Sequence, residues 1–188
     1  DLVMHVILSI AVGLALLAAN GVNATAVLNG SRSYDPDSNT LQYFWFSSPN
    51  SQPPTLLATG VVAVAVLPVG SHPIDLVVSD GLAASTNSVT VSVLTTSQAV
   101  QWIISLVDGS AVRNPKPLMA TLSSALATIE RGNSVAAANQ LNAFQNKVRA
   151  QVADPALASQ FIEAAQQVVD ALHVVNSTAR RSSFTLLE

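Results

Sequence analysis

The sequence predicts a β + α chain of two domains: an antiparallel β-sandwich over residues 8–95, then an antiparallel bundle of about four helices over residues 96–173. Three observations predict it. Short apolar segments with period-two alternation fill the first half, and each is bounded by Gly, Pro, Asn or Asp. At Thr95–Thr96 that period stops and Ala/Gln-rich stretches with helical spacing begin. Charge divides at the same place. Residues 1–95 hold five acids and one base, Arg32, whereas residues 96–188 hold six acids and seven bases.

Residues 1–7 form an apolar N-terminal extension, and the apolar run as a whole covers 2–19, "LVMHVILSIAVGLALLAA". Its length suits a membrane-spanning helix, and Ala11, Ala15 and Ala19 recur at the spacing of membrane helix contacts. A secretory signal is a second reading, although the first base is Arg32. A third fits the pattern better. Val6, Leu8, Ile10, Val12, Leu14 and Leu16 alternate with Ile7, Ser9, Ala11, Gly13 and Ala15, as on a strand with one buried face. Such a strand could also complete a neighbouring subunit's sheet.

After Asn20–Gly21 the strand segments follow in order: 23–30, 41–48, 59–70, 72–81 and 87–94. In 41–48, "LQYFWFSS", Tyr43 and Trp45 share one face, with Phe44 and Phe46 on the other. "PNSQPP" after it interrupts regular structure. Trp45 is the ring expected to fill the space between two sheets; an exposed Trp45 would instead be a platform for a sugar. In 87–94, Val89, Val91 and Val93 lie on one side.

Taken together, "GSRSYDPDSNTLQYFWF" and "GVVAVAVLPVGSHPIDLVVSDGLAASTNSVTVSV" resemble the PKD (polycystic kidney disease repeat) domain. Gly30, Ser31, Ser33, Asp35, Pro36, Asp37, Tyr43, Trp45, Gly70, Val78, Asp80 and Gly81 fall in that family's register. The resemblance implies an immunoglobulin-like sandwich in an extracellular spacer or adhesion module. It also implies a calcium site made by Asp35, Asp37 and Asp80, since calcium takes about six to eight hard oxygen ligands. Ser38 stands where the family has glycine and Asn39 where it often has an acid, which lowers the charge of such a site. The plainer role for Asp35 and Asp37 is to close Asx-turns and shape the loop.

In the second half, "TSQAVQWIISLVDG" is a helix capped by Thr96 or Ser97 and stopped at Gly109, with Val100, Ile103, Ile104 and Val107 on one face. "RNPKP" links it to a helix over 117–132, striped by Leu118, Leu122, Ala125 and Ile129. The third helix, 133–152, is capped at Asn133 or Ser134 and striped by Ala137, Leu141, Phe144 and Val148. Asp154–Pro155 opens the fourth, striped by Leu157, Phe161, Ala165, Val168 and Leu172. The phrase "IERGNSVAAANQLNAFQNKVRAQ" resembles a FIMAH-like helical module found beside bacterial surface-protein domains. Residues 174–188 read as an extended C-terminal tail able to dock Phe184 and Leu186 on a partner.

Function is bounded more by exclusion than by motif. Only 10% of the residues are charged and the net charge is −3, with no basic cluster larger than Arg180–Arg181, so no nucleic-acid partner is expected. Without cysteine there is no disulfide and no thiolate chemistry. No nucleophile elbow, zinc-binding helix or phosphate loop is present, and His72 with Asp75 would point to opposite strand faces. The expectation is a non-catalytic bacterial protein of the cell surface or exterior, with a structural or adhesive role. It would act through protein partners or self-assembly, with calcium the one cofactor to consider. One alternative is an accessory subunit of a membrane complex, anchored by residues 2–19. Another is a substrate-binding module of a secreted hydrolase, which would need Trp45 or Trp102 exposed in a groove.

Overall fold

The computed structural model describes residues 7–8, 15–37, 40–47 and 53–184. They form a β + α chain. Its strands are β1 (Ile7–Leu8), β2 (Ala15–Leu17), β3 (Asn23–Asn29), β4 (Gln42–Ser47), β5 (Thr55–Thr59), β6 (Val62–Pro68), β7 (Gly70–Ser79) and β8 (Ala84–Leu94). Its helices are α1 (Thr96–Asp108), α2 (Lys116–Glu130), α3 (Ser134–Gln151) and α4 (Pro155–Phe184). The chain divides into two compact units, one of Asp1–Leu16 with Asn23–Val93, the other of Leu17–Val22 with Leu94–Glu188. The short Leu17–Val22 segment therefore goes with the helices rather than with the strands around it in sequence.

The strands make a three-stranded sheet, β1-β3-β6, and a five-stranded sheet, β2-β8-β7-β4-β5. β7 is antiparallel to both β4 and β8, and β3 to both β1 and β6. Alternation decides which side chains are buried. Ala26 and Leu28 on β3, Ala63, Ala65 and Leu67 on β6, and Ile74, Leu76 and Val78 on β7 are all buried at every second position. Val91 and Val93 are buried with them, and Val89 is half-buried on the same side.

The 59–70 segment, expected as one strand, is β6 over Val62–Pro68, with Thr59 the last residue of β5 and Gly70 the first of β7. Gly60 takes φ +105°, a left-handed value that glycine accepts without a Cβ penalty, and the chain turns there from β5 into β6. β5 itself begins at Thr55, just past the residues read as a break.

The N-terminal run contains strand at Ile7–Leu8 and Ala15–Leu17, so those residues are not part of an unbroken helix across 2–19. Ile7 pairs with Asn29 and Leu8 with Leu28. The rest of the run up to Ala15 lies outside the described residues. Among the described residues no helix is long and apolar enough to cross a membrane.

In the second unit the four helices bury one shared apolar core. The predicted stripes supply it: Val100, Ile103 and Val107; Leu118, Leu122 and Ala125; Ala137, Leu141, Phe144 and Val148; Phe161, Ala165, Val168 and Leu172. The cap of α1 is Thr95, not Thr96 or Ser97. Its hydroxyl accepts from the Gln98 amide while the Gln98 side chain accepts from the Thr95 amide, a reciprocal capping box. Asn133 caps α3 as expected. α4 runs on to Phe184, so residues 174–184 are helical and not the extended tail the sequence suggested.

Candidate functional site

The three acids that the sequence nominates for calcium come from two turns. The β3–β4 loop carries Asp35 and Asp37, and the tight β7–β8 turn carries Asp80. Together with Pro36, Ala83, Ala84 and Ser85 they line one cleft of about 490 Å³. The fold therefore brings together residues far apart in the chain.

Each turn has a local reason. Asp35 Oδ1 accepts the Asp37 amide at 2.9 Å, an Asx-turn. Asp80 Oδ1 accepts the amides of Leu82 at 2.8 Å and Ala83 at 2.7 Å. Ser79 Oγ accepts from the Gly81 amide and donates to the Ala83 carbonyl. Gly81, at φ +92°, supplies the left-handed step. These bonds make Asp35 and Asp80 turn formers, whereas Asp37 enters its turn through the backbone amide. Among the described residues no group of three or more His, Cys, Asp or Glu is placed to hold a metal ion. Asp35, Asp37 and Asp80 thus share a cleft without forming a closed ligand set. Ser38 and Asn39, the two departures from the family pattern, lie outside the described residues.

The turn role gives a direct expectation. Asp80→Ala removes the acceptor for two amides and lowers the stability of the first unit by about 1 kcal/mol in urea denaturation. Asp80→Asn keeps a side-chain oxygen in the same place and changes stability by much less. Equal losses in the two variants would mean that charge, not the turn, is what Asp80 contributes.

The other candidates separate. His72 Nε2 donates to the Pro68 carbonyl at 2.7 Å, whereas Asp75 accepts from Ser88 Oγ at 2.5 Å. Trp45 has no exposed surface and donates from Nε1 to the Gly60 carbonyl at 3.0 Å, so its ring is not a sugar platform. Trp102 is partly buried against the helical core.

One feature escaped the sequence reading. On β6 the valines face out, and the two alanines face in together with Leu67. Val62, Val64 and Val66 are 53%, 61% and 63% exposed, while Ala63 and Ala65 are buried. Val27 on β3, opposite Val64, is exposed beside them. The Val/Ala alternation was visible, but alternation alone does not say which face is inside.

No protein-family model matches the chain, and no curated protein does.

Proposed function

We propose that this chain is a non-catalytic contact protein of the cell surface or exterior: a PKD-like, immunoglobulin-like β-sandwich joined to an antiparallel helical bundle, working through protein–protein contacts. The strand orders β1-β3-β6 and β2-β8-β7-β4-β5 support the sandwich, because the chain passes repeatedly from one sheet to the other, with only β4–β5 and β7–β8 consecutive within one sheet, as in immunoglobulin-like folds. The four apolar stripes that meet in one core support the bundle. The observation that carries the contact role is the outward valine row on β6. Contiguous exposed apolar surface of this kind marks an interaction site.

Fractionation of the cells that make the chain tests this reading. The expected result is recovery from the exterior, released by a chaotrope without detergent. A combined Val62→Thr, Val64→Thr, Val66→Thr variant is expected to wash off in buffer alone. Extraction only by detergent would favour the membrane-subunit reading, and a cytosolic chain would overturn the surface one.

A second reading attaches to the cleft of Asp35, Asp37 and Asp80, because three carboxylates from two loops open onto it. Calcium would be held there once the loops drew these oxygens within about 2.3–2.6 Å of the ion. Under this reading, millimolar calcium raises the melting temperature and Asp37→Asn abolishes the rise. No rise in the unaltered chain would overturn this reading and leave Asp35 and Asp80 as turn formers alone.

A further inference from the structure

We propose that β6 is a self-pairing edge: two copies of the chain join through antiparallel β6–β6 contact, centred on Val64 of each. This rests on the contact reading above and names its partner as a second copy. β6 ends the order of the three-stranded sheet among the described residues. A sheet edge presents unpaired amides and carbonyls to any strand that approaches, and proteins usually blunt it with charge, bulges or brevity. Of the other edges, β1 and β2 are described over two and three residues. β5 has five residues, and its pairing with β4 is broken by a register shift between Trp45 and Phe46. β6 has seven residues and pairs with β3 in unbroken register along all of them.

Charge is absent too. No Lys, Arg, Asp or Glu occurs between Asp37 and Asp75, so β6 and its flanks carry no charge that would repel an identical strand. This argues for a second copy as the occupant rather than a charged peptide. The sequence of β6 is self-complementary when reversed. Centring on Val64 sets Val62 against Val66 and Ala63 against Ala65. It also leaves Pro68, which has no amide hydrogen, opposite the Gly60 turn and outside the ladder. Centring on Ala65 would put Pro68 inside the ladder, so the register is chosen. The seam flanks the exposed valines of each copy with those of the other, and β-branched cross-strand pairs are favourable. Such an edge presents on the order of 500 Å² per copy, about 1,000 Å² in the pair, near the lower bound for a specific interface. The dimer should therefore dissociate on dilution.

The chain has no cysteine, which makes the test clean. In the full chain, Val64→Cys is compared with Leu82→Cys, a control at a position 94% exposed on the β7–β8 turn. Under a mild thiol oxidant, Val64→Cys is expected to give a covalent dimer at least tenfold faster than the control. Directly opposed cross-strand positions come close to the Cβ separation a disulfide needs. Val64→Lys, at a site already exposed, is expected to sediment as a 19.5 kDa monomer at concentrations where the unaltered chain is dimeric, with unchanged circular dichroism. Cross-linking no faster than the control, or a dimer that survives Val64→Lys, would overturn the pairing. Either result would leave the cell-surface reading to the fractionation experiment, and a cytosolic location there would leave the pairing untouched.

Discussion

Trp45→Ala lowers the stability of the first unit by about 3–5 kcal/mol, the usual cost of removing a large buried ring. That is a large share of the roughly 5–15 kcal/mol that holds a domain folded. Two losses combine. The ring is the largest side chain with no exposed surface, so its removal leaves a cavity among Leu76, its partner across β7, and the buried residues around it. The Gly60 carbonyl also loses the indole N–H that it accepts. Gly60 is the hinge between β5 and β6, and its own amide already bonds to the Tyr43 carbonyl, so the indole closes a clamp on that turn. Trp45→Phe separates the terms: it keeps most of the apolar volume, loses the bond and is expected to cost less than half as much. Hydrogen exchange on β4 and β7 amides reads both variants. A change under 1 kcal/mol for Trp45→Ala would mean that the ring is not what organises this unit.

That role for Trp45 was legible in the sequence, because a tryptophan amid period-two apolar residues has few other uses. The helical stripes were legible too: their predicted positions are buried, except Ile104, Ile129 and Leu157, which pack half-buried against the core. What escaped was decided beyond local pattern. β5 went unread because it follows directly on the proline-rich break, and Gly60 alone separates it from β6. The T-x-x-Q capping box at Thr95 was present, but three consecutive candidates, Thr95, Thr96 and Ser97, compete for the cap until the hydrogen bonds choose. α4 passes residue 173 because nothing in "VVNSTARRSSF" forbids a helix, while its polarity suggested a tail. As for the cleft, only the family resemblance linked Asp80 to Asp35 and Asp37, since spacing cannot show that two turns face one opening. The valine row was hidden by a sign rather than a period. β6 alternates either way round, and only its pairing with β3 fixes Ala63 and Ala65 on the buried side.

In the second unit the largest expected effect is Phe144→Ala, again about 3–5 kcal/mol. α3 is the least apolar of the four helices, and besides Phe144 it buries only Ala137, Ala138, Leu141, Val148 and the amide side chain of Gln145. Much of its attachment therefore falls on one ring. It also has polar ties: Gln140 Nε2 donates to Ser124 Oγ and Lys147 Nζ to Thr121 Oγ1, both of α2, and Gln145 donates to Gln166 of α4, which donates to Asp170. A hydrogen bond of this kind contributes a net of about 1 kcal/mol, because both groups would otherwise bond to water. Gln145→Ala is thus expected to cost about a third as much as Phe144→Ala, and Phe144→Leu, which keeps most of the volume, under about 1.5 kcal/mol. Urea unfolding followed at the helical circular dichroism minimum measures all three. If Gln145→Ala proved the costliest, α3 would be held by its polar ladder rather than by its narrow apolar stripe.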